Sequence, residues 1–436
     1  MLDVSSSHGY EEERDFRFLL PQVGDSEDVE RYEPGGFHPA HLGDTYDEGR
    51  YRTVHKLGAD EREKTWVALK IVCAEHPTLA GNEIVLTYQG ASDLFDGPEF
   101  AAELRRFIIE GPNGCHLCLV LPVLGPSASQ LSSNFNSRLS PWLSRRVSYQ
   151  AAKGLAATHA HGLCHGDVTT ANILFTLPSI GQLEEADIYR LFGLPKTGVL
   201  ETESGEPTGP EAPRYIVKTL DFLSSTSNII GQDVKLVDFD QSFAISSPPK
   251  KMIGTPAEFL APEVAVGLPA SPASDVWALG CCIFRLRSGE GPFSNYEVTC
   301  PGELIRYVFQ TLGELPLEWQ DTLWDYYGQP TKDPKKGKPF GPWEGERPLR
   351  DLHKPFPPSF SNIIWKPKAV KIDNVYLDGY HDETEGLLEK MPKIAEPEVT
   401  LLYDLLAKIF VYDPKRRPTA SEILNHPWFH MDGQLH

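Results

Sequence analysis

The spacing of hydrophobic residues changes partway along the chain, from a strand-like pattern to a helical one. Residues 51–54 alternate in polarity, and residues 66–72 and 115–124 form apolar runs rich in β-formers. After Pro141, apolar residues recur at helical spacing until about Gly162. A β-rich part followed by a helix-rich part predicts an α+β protein with two segregated lobes, and it argues against a βαβ repeat.

The length and charge of the chain limit its function class. Its 436 residues exceed the usual size of one domain, so a single small binding module is excluded, and a hydrophobic content of 40% is enough for a sizeable core. Acidic residues outnumber Lys plus Arg by 61 to 41, which gives a formal charge of −20. This charge disfavours direct binding to nucleic acid or to anionic membranes.

The sequence also predicts the compartment. No apolar run approaches the ~18 residues that span a bilayer, and the polar, acidic N-terminus lacks the features of a signal peptide. Seven scattered cysteines, an odd number, are typical of a reducing environment. Cys115 and Cys118 form a CxxC, but no second ligand pair follows at zinc spacing, so a buried strand is the favoured interpretation. We expect a soluble monomer of the cytoplasm, the nucleus or both.

The strongest chemical signal is the segment from His165 to Asn172, with the sequence HGDVTTAN. Transfer of a phosphoryl group to a hydroxyl needs a carboxylate to accept the proton and an oxygen ligand nearby to hold magnesium on the phosphates. Asp167 and Asn172, five residues apart, have these chemistries. A second carboxylate, Asp238, follows the strand-like run Lys235–Val237 and is a candidate magnesium ligand.

Further motifs follow in a fixed order. They are Ala261-Pro262-Glu263, then Asp275-Val276-Trp277-Ala278-Leu279-Gly280, and finally Asp413-Pro414-Lys415-Arg416-Arg417-Pro418-Thr419. With these motifs the chain, over roughly residues 29–430, resembles the eukaryotic protein kinase superfamily. The segment YEPGGFHPAHLGD at 32–44 and the run TLGELP at 311–316 make it similar, within that superfamily, to the fungal-type SR-protein kinases.

The resemblance implies a bilobal kinase fold and a set of site residues. It implies that Asp167 is the catalytic base, that Asn172 and Asp238 bind Mg²⁺, and that Lys70 contacts the phosphates of ATP with Glu83 as its partner. Glu263 and Arg417 are expected to form a buried structural pair, and Asp275 to cap the backbone of the catalytic loop. The remaining residues implied to contact the nucleotide are Gly58, Ala68, Leu121 and Leu124.

The resemblance also implies domain boundaries. We expect a flexible tail at 1–28, an N-lobe with its hinge at 29–124, a C-lobe at 125–430 and a short tail at 431–436. Two inserts, at 178–233 and 329–395, are expected within the C-lobe, and the first should contain a helix from Leu183 to Phe192 that ends at Gly193.

The N-lobe departs from the family pattern. Its phosphate-binding loop usually has three glycines, and only Gly58 is present. The 12 steps from Gly58 to Lys70 leave too little chain for a loop and a complete hairpin, so we expect a shortened N-lobe. Either a strand has been lost or the sequence represents a splice variant or an incorrect gene model, and we favour the gene-model explanation.

The reacting centre departs from the pattern as well. Thr169 replaces a lysine that steadies the γ-phosphate, and Asp240 replaces a glycine after Asp238. Two functions therefore stay open. One is a serine/threonine kinase that uses ATP and Mg²⁺, with Arg/Ser-rich splicing or RNA-processing proteins as the expected substrates. The alternative is a pseudokinase or nucleotide-binding scaffold without phosphotransfer.

Overall fold

The computed structural model describes residues 16–19, 21–24, 26–74, 97–132, 139–222, 229–250, 254–289, 291–293, 298–339 and 394–431. Its strands, in chain order, are β1 (Thr45–Tyr46), β2 (Tyr51–Val54), β3 (Leu57–Asp60), β4 (Thr65–Ile71), β5 (Arg105–Gly111), β6 (Gly114–Pro122), β7 (Leu124–Ser127), β8 (Leu163–Cys164), β9 (Ile173–Thr176), β10 (Thr197–Val199), β11 (Tyr215–Val217), β12 (Val234–Leu236), β13 (Phe243–Ala244), β14 (Leu323–Trp324) and β15 (Pro330–Thr331).

The helices are α1 (Ala128–Ser132), α2 (Pro141–Ala160), α3 (Glu185–Phe192), α4 (Pro262–Ala265), α5 (Pro272–Ser288), α6 (Pro301–Leu312), α7 (Leu317–Gln320), α8 (Glu396–Ile409) and α9 (Ala420–Ile423). None of the helices in these described ranges is long and apolar enough to cross a membrane. The chain divides into two compact units, one of residues 1–126 with 174–231 and one of residues 127–173 with 232–436.

An antiparallel sheet of six strands, in the order β1-β2-β3-β4-β6-β5, forms the framework of the first unit. Val67 and Val120 pack with Tyr46 and Tyr51 on one of its faces, where all four side chains are buried. Val67 and Val120 come from β4 and β6, so apolar side chains of neighbouring strands meet on that face.

The β2–β3 hairpin is complete, contrary to one explanation of the short N-lobe. Val54 pairs with Leu57, so the connection has shrunk to the two residues His55 and Lys56, and His55 adopts φ 55° as such tight turns require. Over the described residues 51–71, both hairpin strands and the strand that follows them are present. Gly58 belongs to the second strand of the hairpin and does not precede a loop, which is why the chain is long enough after all.

The first of the two predicted inserts, at 178–233, was expected to belong to the C-lobe. Almost all of it, up to residue 231, groups instead with the first unit. Its helix α3 begins at Glu185 and ends at Gly193, whose φ of 78° suits glycine, so the predicted helix is confirmed within two residues. Trp66 of β4 donates its Nε1–H to the carbonyl of Leu183 at 2.7 Å. Apolar side chains of the insert bury against the sheet, and this packing assigns the insert to the first unit.

The N-terminal segment also departs from expectation. Phe18, in the tail predicted to be flexible, is buried in a cluster with Val29 and Tyr32. Its backbone bridges Thr202 of the insert, and Leu200, Ala212 and Ile216 of the insert belong to the same cluster. Because Phe18 packs in part against residues almost 200 positions away, local composition cannot predict this contact.

The second unit is built around α2 and α5. Ser140 caps the N-terminus of α2 and Pro141 occupies its first turn, so the predicted helix from Pro141 to about Gly162 is confirmed. Trp277 of α5 is fully buried and stacks on Phe293 with ring centroids 5.0 Å apart. Most of α5 is buried, which makes it the rigid centre to which the candidate site is attached.

Candidate active site

The loop that carries Asp167 is attached to α5 by one carboxylate. Strand β8 leads into His165, whose backbone N–H donates to Asp275 Oδ2 at 2.8 Å, and the N–H of Gly166 donates to Asp275 Oδ1 at 3.0 Å. Asp275 lies in the first turn of α5 and is buried. The structure confirms the expected capping role of Asp275 and shows why the loop has one defined conformation.

Gly166 is a requirement that the sequence reasoning missed. Its φ is 77°, and a Cβ at this position would lie 2.4 Å from the backbone oxygen of Gln241. No larger residue fits without moving one of the two segments. The available signal was the glycine itself, placed between His165 and Asp167 in the motif.

Asp167 and Asn172 lie side by side. Asn172 Nδ2 donates to Asp167 Oδ2 and to the Asp167 backbone oxygen, both at 2.8 Å. Asp167 Oδ1 is buried and has no hydrogen-bond partner in the described part of the chain. The carboxylate is thus oriented through one oxygen, and its other oxygen is available to accept a proton.

Thr169 has a structural role. Its side chain is buried, and its Oγ1 accepts the backbone N–H of Asn172 at 3.3 Å, capping the 3-10 turn Thr170–Asn172. Thr169 therefore helps to fix the position of Asn172. Because it replaces a lysine, the site lacks the positive charge that the family pattern has at this position.

The environment of Asp167 favours the protonated form. Burial raises its pKa to about 6, and the negative charges of Asp238, Asp275 and Asp240 act in the same direction. The hydrogen bond from Asn172 opposes the rise. A carboxyl group that titrates near neutral pH suits general-base chemistry.

His165 connects the two carboxylate-bearing segments. Its Nε2 donates to the Val237 carbonyl at 3.1 Å, and its Nδ1 accepts the backbone N–H of Asp167 at 3.2 Å. Its ring packs on Phe239 with centroids 4.5 Å apart. Burial lowers the pKa of His165, which agrees with a neutral ring that donates from one nitrogen and accepts at the other.

Asp238 has an unusual backbone conformation. Its φ is 67°, in the left-handed region, where non-glycine residues are uncommon and asparagine and aspartate are tolerated best. Asp240, which replaces the glycine of the family pattern, is not among the described residues with positive φ, whereas Asp238 is. Such local strain is concentrated at functional sites.

Two further contacts support the loop. Glu263 accepts from both terminal nitrogens of Arg417 at 2.6 Å, and both side chains are buried, which confirms the predicted pair. Thr255 Oγ1 donates to the Gly166 backbone oxygen at 2.5 Å. The segment from Thr255 to Glu263 is therefore attached at both of its ends within the second unit.

The first unit carries the other predicted residues. Ala68 pairs with Leu121 and Lys70 with Leu119, so Ala68, Lys70 and Leu121 lie on one face of the sheet. Leu124 begins β7. Glu83 lies outside the described residues.

Among the predicted nucleotide residues that the structure describes, Gly58 differs in position from expectation. It lies inside β3, paired with Thr53 and Val67, and a Cβ there would be 3.0 Å from Val67 Cγ2. The structure thus places Gly58 in a strand and not in the two-residue turn, and its contact with the nucleotide stays a prediction. Its small size serves the packing of two strands.

The remaining candidate, the CxxC, lies on a strand. Cys118 is buried in β6, burial raises the pKa of its thiol to about 12, and Cys115 is exposed. Over the described ranges, no three or more His, Cys, Asp or Glu side chains are grouped so that they could hold a metal ion.

Comparison with known proteins identifies the chain's relatives. Residues 222–429 match the protein kinase domain model, a range that includes Asp238, Glu263 and Arg417. The serine/threonine-protein kinase SRPK of Physarum polycephalum is 26% identical over 93% of this chain and 92% of that protein. The dual specificity protein kinase CLK1 of Mus musculus is 24% identical over 89% of this chain and 65% of that protein.

Some relatives are much longer than the match. The dual specificity protein kinase lkh1 of Schizosaccharomyces pombe is 26% identical over 72% of this chain, and the chain spans 36% of its length. The protein kinase dsk1 of the same organism is matched over 38% of its length. Residues 222–429 are thus similar to protein kinase domains, and the chain resembles the SR-protein kinases and the CLK-type dual-specificity kinases.

Proposed function

We propose that this chain transfers the γ-phosphate of ATP to a serine or threonine hydroxyl of a protein substrate, with Mg²⁺ as cofactor. The observation that carries the proposal is the Asp167 carboxylate, held through Oδ2 by Asn172 while its buried Oδ1 has no partner in the described chain. A proton-accepting oxygen in this state is what phosphoryl transfer to an alcohol needs from the protein.

In the proposed reaction, Asp167 accepts the proton of the substrate hydroxyl. The hydroxyl oxygen forms a bond to the γ-phosphorus, the bond from that phosphorus to the bridging oxygen breaks, and ADP leaves. The tether from Asn172 keeps the carboxylate oriented, and Asp275 keeps the loop backbone in place. Lys70 is assigned to the ATP phosphates on the strength of the family resemblance.

The oxygen chemistry of the second unit fits magnesium. Asn172 uses its amide nitrogen toward Asp167, so its Oδ1 is not engaged in those two bonds, and Asp238 contributes a carboxylate. Oxygen ligands of this kind are the ones Mg²⁺ prefers. Asn172 and Asp238 would hold the ion, and when bound it neutralises charge on the phosphates.

The Physarum relative is named a serine/threonine-protein kinase, which favours serine or threonine acceptors, whereas lkh1 and CLK1 are named dual specificity kinases. An acidic chain that resembles SR-protein kinases should also prefer hydroxyls flanked by arginines, because guanidinium groups form charge-assisted bonds with carboxylates. A peptide array with arginine, acidic and proline contexts tests this preference. Selection of acidic peptides would contradict it.

The second candidate function is nucleotide binding without phosphotransfer. The two-residue β2–β3 turn offers few backbone donors to phosphates, and Thr169 brings no positive charge to the reacting centre. Both observations favour a nucleotide-binding scaffold over an enzyme. For either function, we propose the cytoplasm or the nucleus as the location.

One assay separates the two functions. We would measure Mg²⁺-dependent ADP production with an Arg/Ser peptide, using the wild type, Asp167→Asn and the control Asp321→Asn. The control makes the same chemical change at an exposed position of the second unit. A kinase loses at least about 100-fold in rate in Asp167→Asn and keeps its rate in the control. Equal, background-level production by all three folded proteins would refute the kinase.

A further inference from the structure

The insert of the first unit covers part of the sheet that carries Ala68 and Lys70. Arg52 of β2 forms an ion pair with Glu185 of α3 at 2.8 Å, and the Trp66 indole donates to the Leu183 carbonyl. Ile188, also on α3, is fully buried. Polar anchors and an apolar core together dock the insert on β2–β4.

Strand register shows which face is covered. Trp66, Ala68 and Lys70 alternate along β4 and therefore point to the same side. Ala59 pairs with Trp66 and Gly58 with Val67, so Leu57, the next residue, lies beside Ala68 on that side. Leu57 and Trp66 are thus neighbours of Ala68 on the face assigned to the nucleotide.

Leu57 and Trp66 already pack against side chains of the insert. Leu57 is only 7% exposed, and it belongs to one apolar cluster with Ile180, Ile188 and Leu220 of the insert, against which Trp66 also packs. The apolar surface around Ala68 is therefore buried on one flank by the chain's own side chains. The opposite face has a separate cluster, so the insert is not needed to cover it.

The shortened hairpin is fixed in the same arrangement. Its turn residue Lys56 forms an ion pair with Glu27 at 2.6 Å, while Leu57, the next residue, is held in the insert cluster. A hairpin tied on both sides cannot open independently of the insert. The insert and the hairpin are therefore held together.

We propose that the insert is an intramolecular cap on the nucleotide-binding face, and that a nucleotide binds in competition with its docking. The inference rests on the proposed function for nucleotide binding only, and not for phosphotransfer. If only the undocked fraction binds ATP, the apparent dissociation constant rises by the inverse of that fraction. Loosening the cap should then tighten nucleotide binding.

The test compares Glu185→Lys, which places a cation against Arg52, with Glu203→Lys. The control makes the same charge change at an exposed position of the same insert, away from α3. We expect Glu185→Lys to bind Mg-ATP at least about fivefold more tightly than the wild type in a calorimetric titration, and Glu203→Lys to match the wild type. Unchanged or weaker binding in Glu185→Lys overturns the proposal.

A second variant guards against an effect of surface charge. Ile188→Ala removes a buried contact without changing charge, and it should also tighten binding. Hydrogen exchange supplies a readout in the wild type, because saturating Mg-ATP should speed exchange in residues 180–192. Slower exchange there with nucleotide, or no nucleotide binding by any variant, overturns the cap, whereas binding without ADP production overturns the proposed transfer reaction alone.

Discussion

Replacing Asp167 by asparagine should remove activity and at the same time stabilise the protein at neutral pH. The fold raises the pKa of this carboxyl from 3.8 to about 6, so ionising Asp167 costs folding free energy. A rise of about two pH units corresponds to about 3 kcal/mol at 1.36 kcal/mol per unit. The hydrogen bond from Asn172 to the carboxylate is already part of this raised pKa, so replacing the ionised carboxylate by a neutral amide should gain about 3 kcal/mol.

The sign follows from linkage. A carboxyl group whose folded pKa is raised contributes its full stability below the unfolded value of 3.8, and this contribution is lost as pH rises through about 6. Asparagine does not titrate, so the advantage of Asp167→Asn should grow between about pH 4 and 6 and stay constant above about pH 7.

Urea unfolding from pH 4 to 8 measures this advantage, with Asp321→Asn as the control for a lost surface charge. The expected result is a difference of about 3 kcal/mol at pH 8 that shrinks on acidification, while the control stays within about 0.5 kcal/mol of the wild type. A destabilised Asp167→Asn at pH 8, or a difference independent of pH, would refute the reasoning that the site strains this carboxylate.

The other predictions concern the same unit and the nucleotide. Glu263→Gln should destabilise the protein by about 3–5 kcal/mol in chemical denaturation, because Arg417 is left as a buried uncompensated cation, whereas Glu258→Gln at a more exposed pair should cost under about 1 kcal/mol. The rate of the proposed phosphoryl transfer should fall below an apparent pKa of about 6 as Asp167 protonates, and a flat profile from pH 5 to 8 would contradict this. Gly166→Ala should cost at least about 1–3 kcal/mol in thermal unfolding, since its Cβ would meet a backbone oxygen at 2.4 Å in a left-handed conformation. Thermal-shift titration should give a dissociation constant for Mg-ATP weaker than about 1 µM, and a tighter value would show that other donors replace the missing glycine loop.

Local chemistry in the sequence was enough to predict several helices and strands, and to predict that the candidate residues of the second unit lie close together. The caps at Ser140 and Gly193 bound two predicted helices, because capping depends on residues within one turn. The spacing of Asp167 and Asn172 within one loop indicated that they would meet, since five residues of chain cannot separate them far. The family motifs added the long-range pair of Glu263 and Arg417.

The N-lobe prediction failed where it assumed the position of a loop. Counting residues from Gly58 treated that glycine as the start of a turn, but strand pairing placed it one residue inside β3. Register depends on which residues pair across strands and on the length of the turn, and a two-residue turn leaves enough chain for both strands.

Only the tertiary structure decided how distant segments combine. The sequence by itself determined a β-rich part, a helical part and a loop that carries Asp167 and Asn172, because these follow from short-range periodicity and motif spacing. It gave no sign that Phe18 and α3 would pack into the first unit, nor that one oxygen of Asp167 would be buried without a partner. Burial and its effect on pKa depend on atoms brought together from far apart in the chain, and these contacts exist only once the chain has folded.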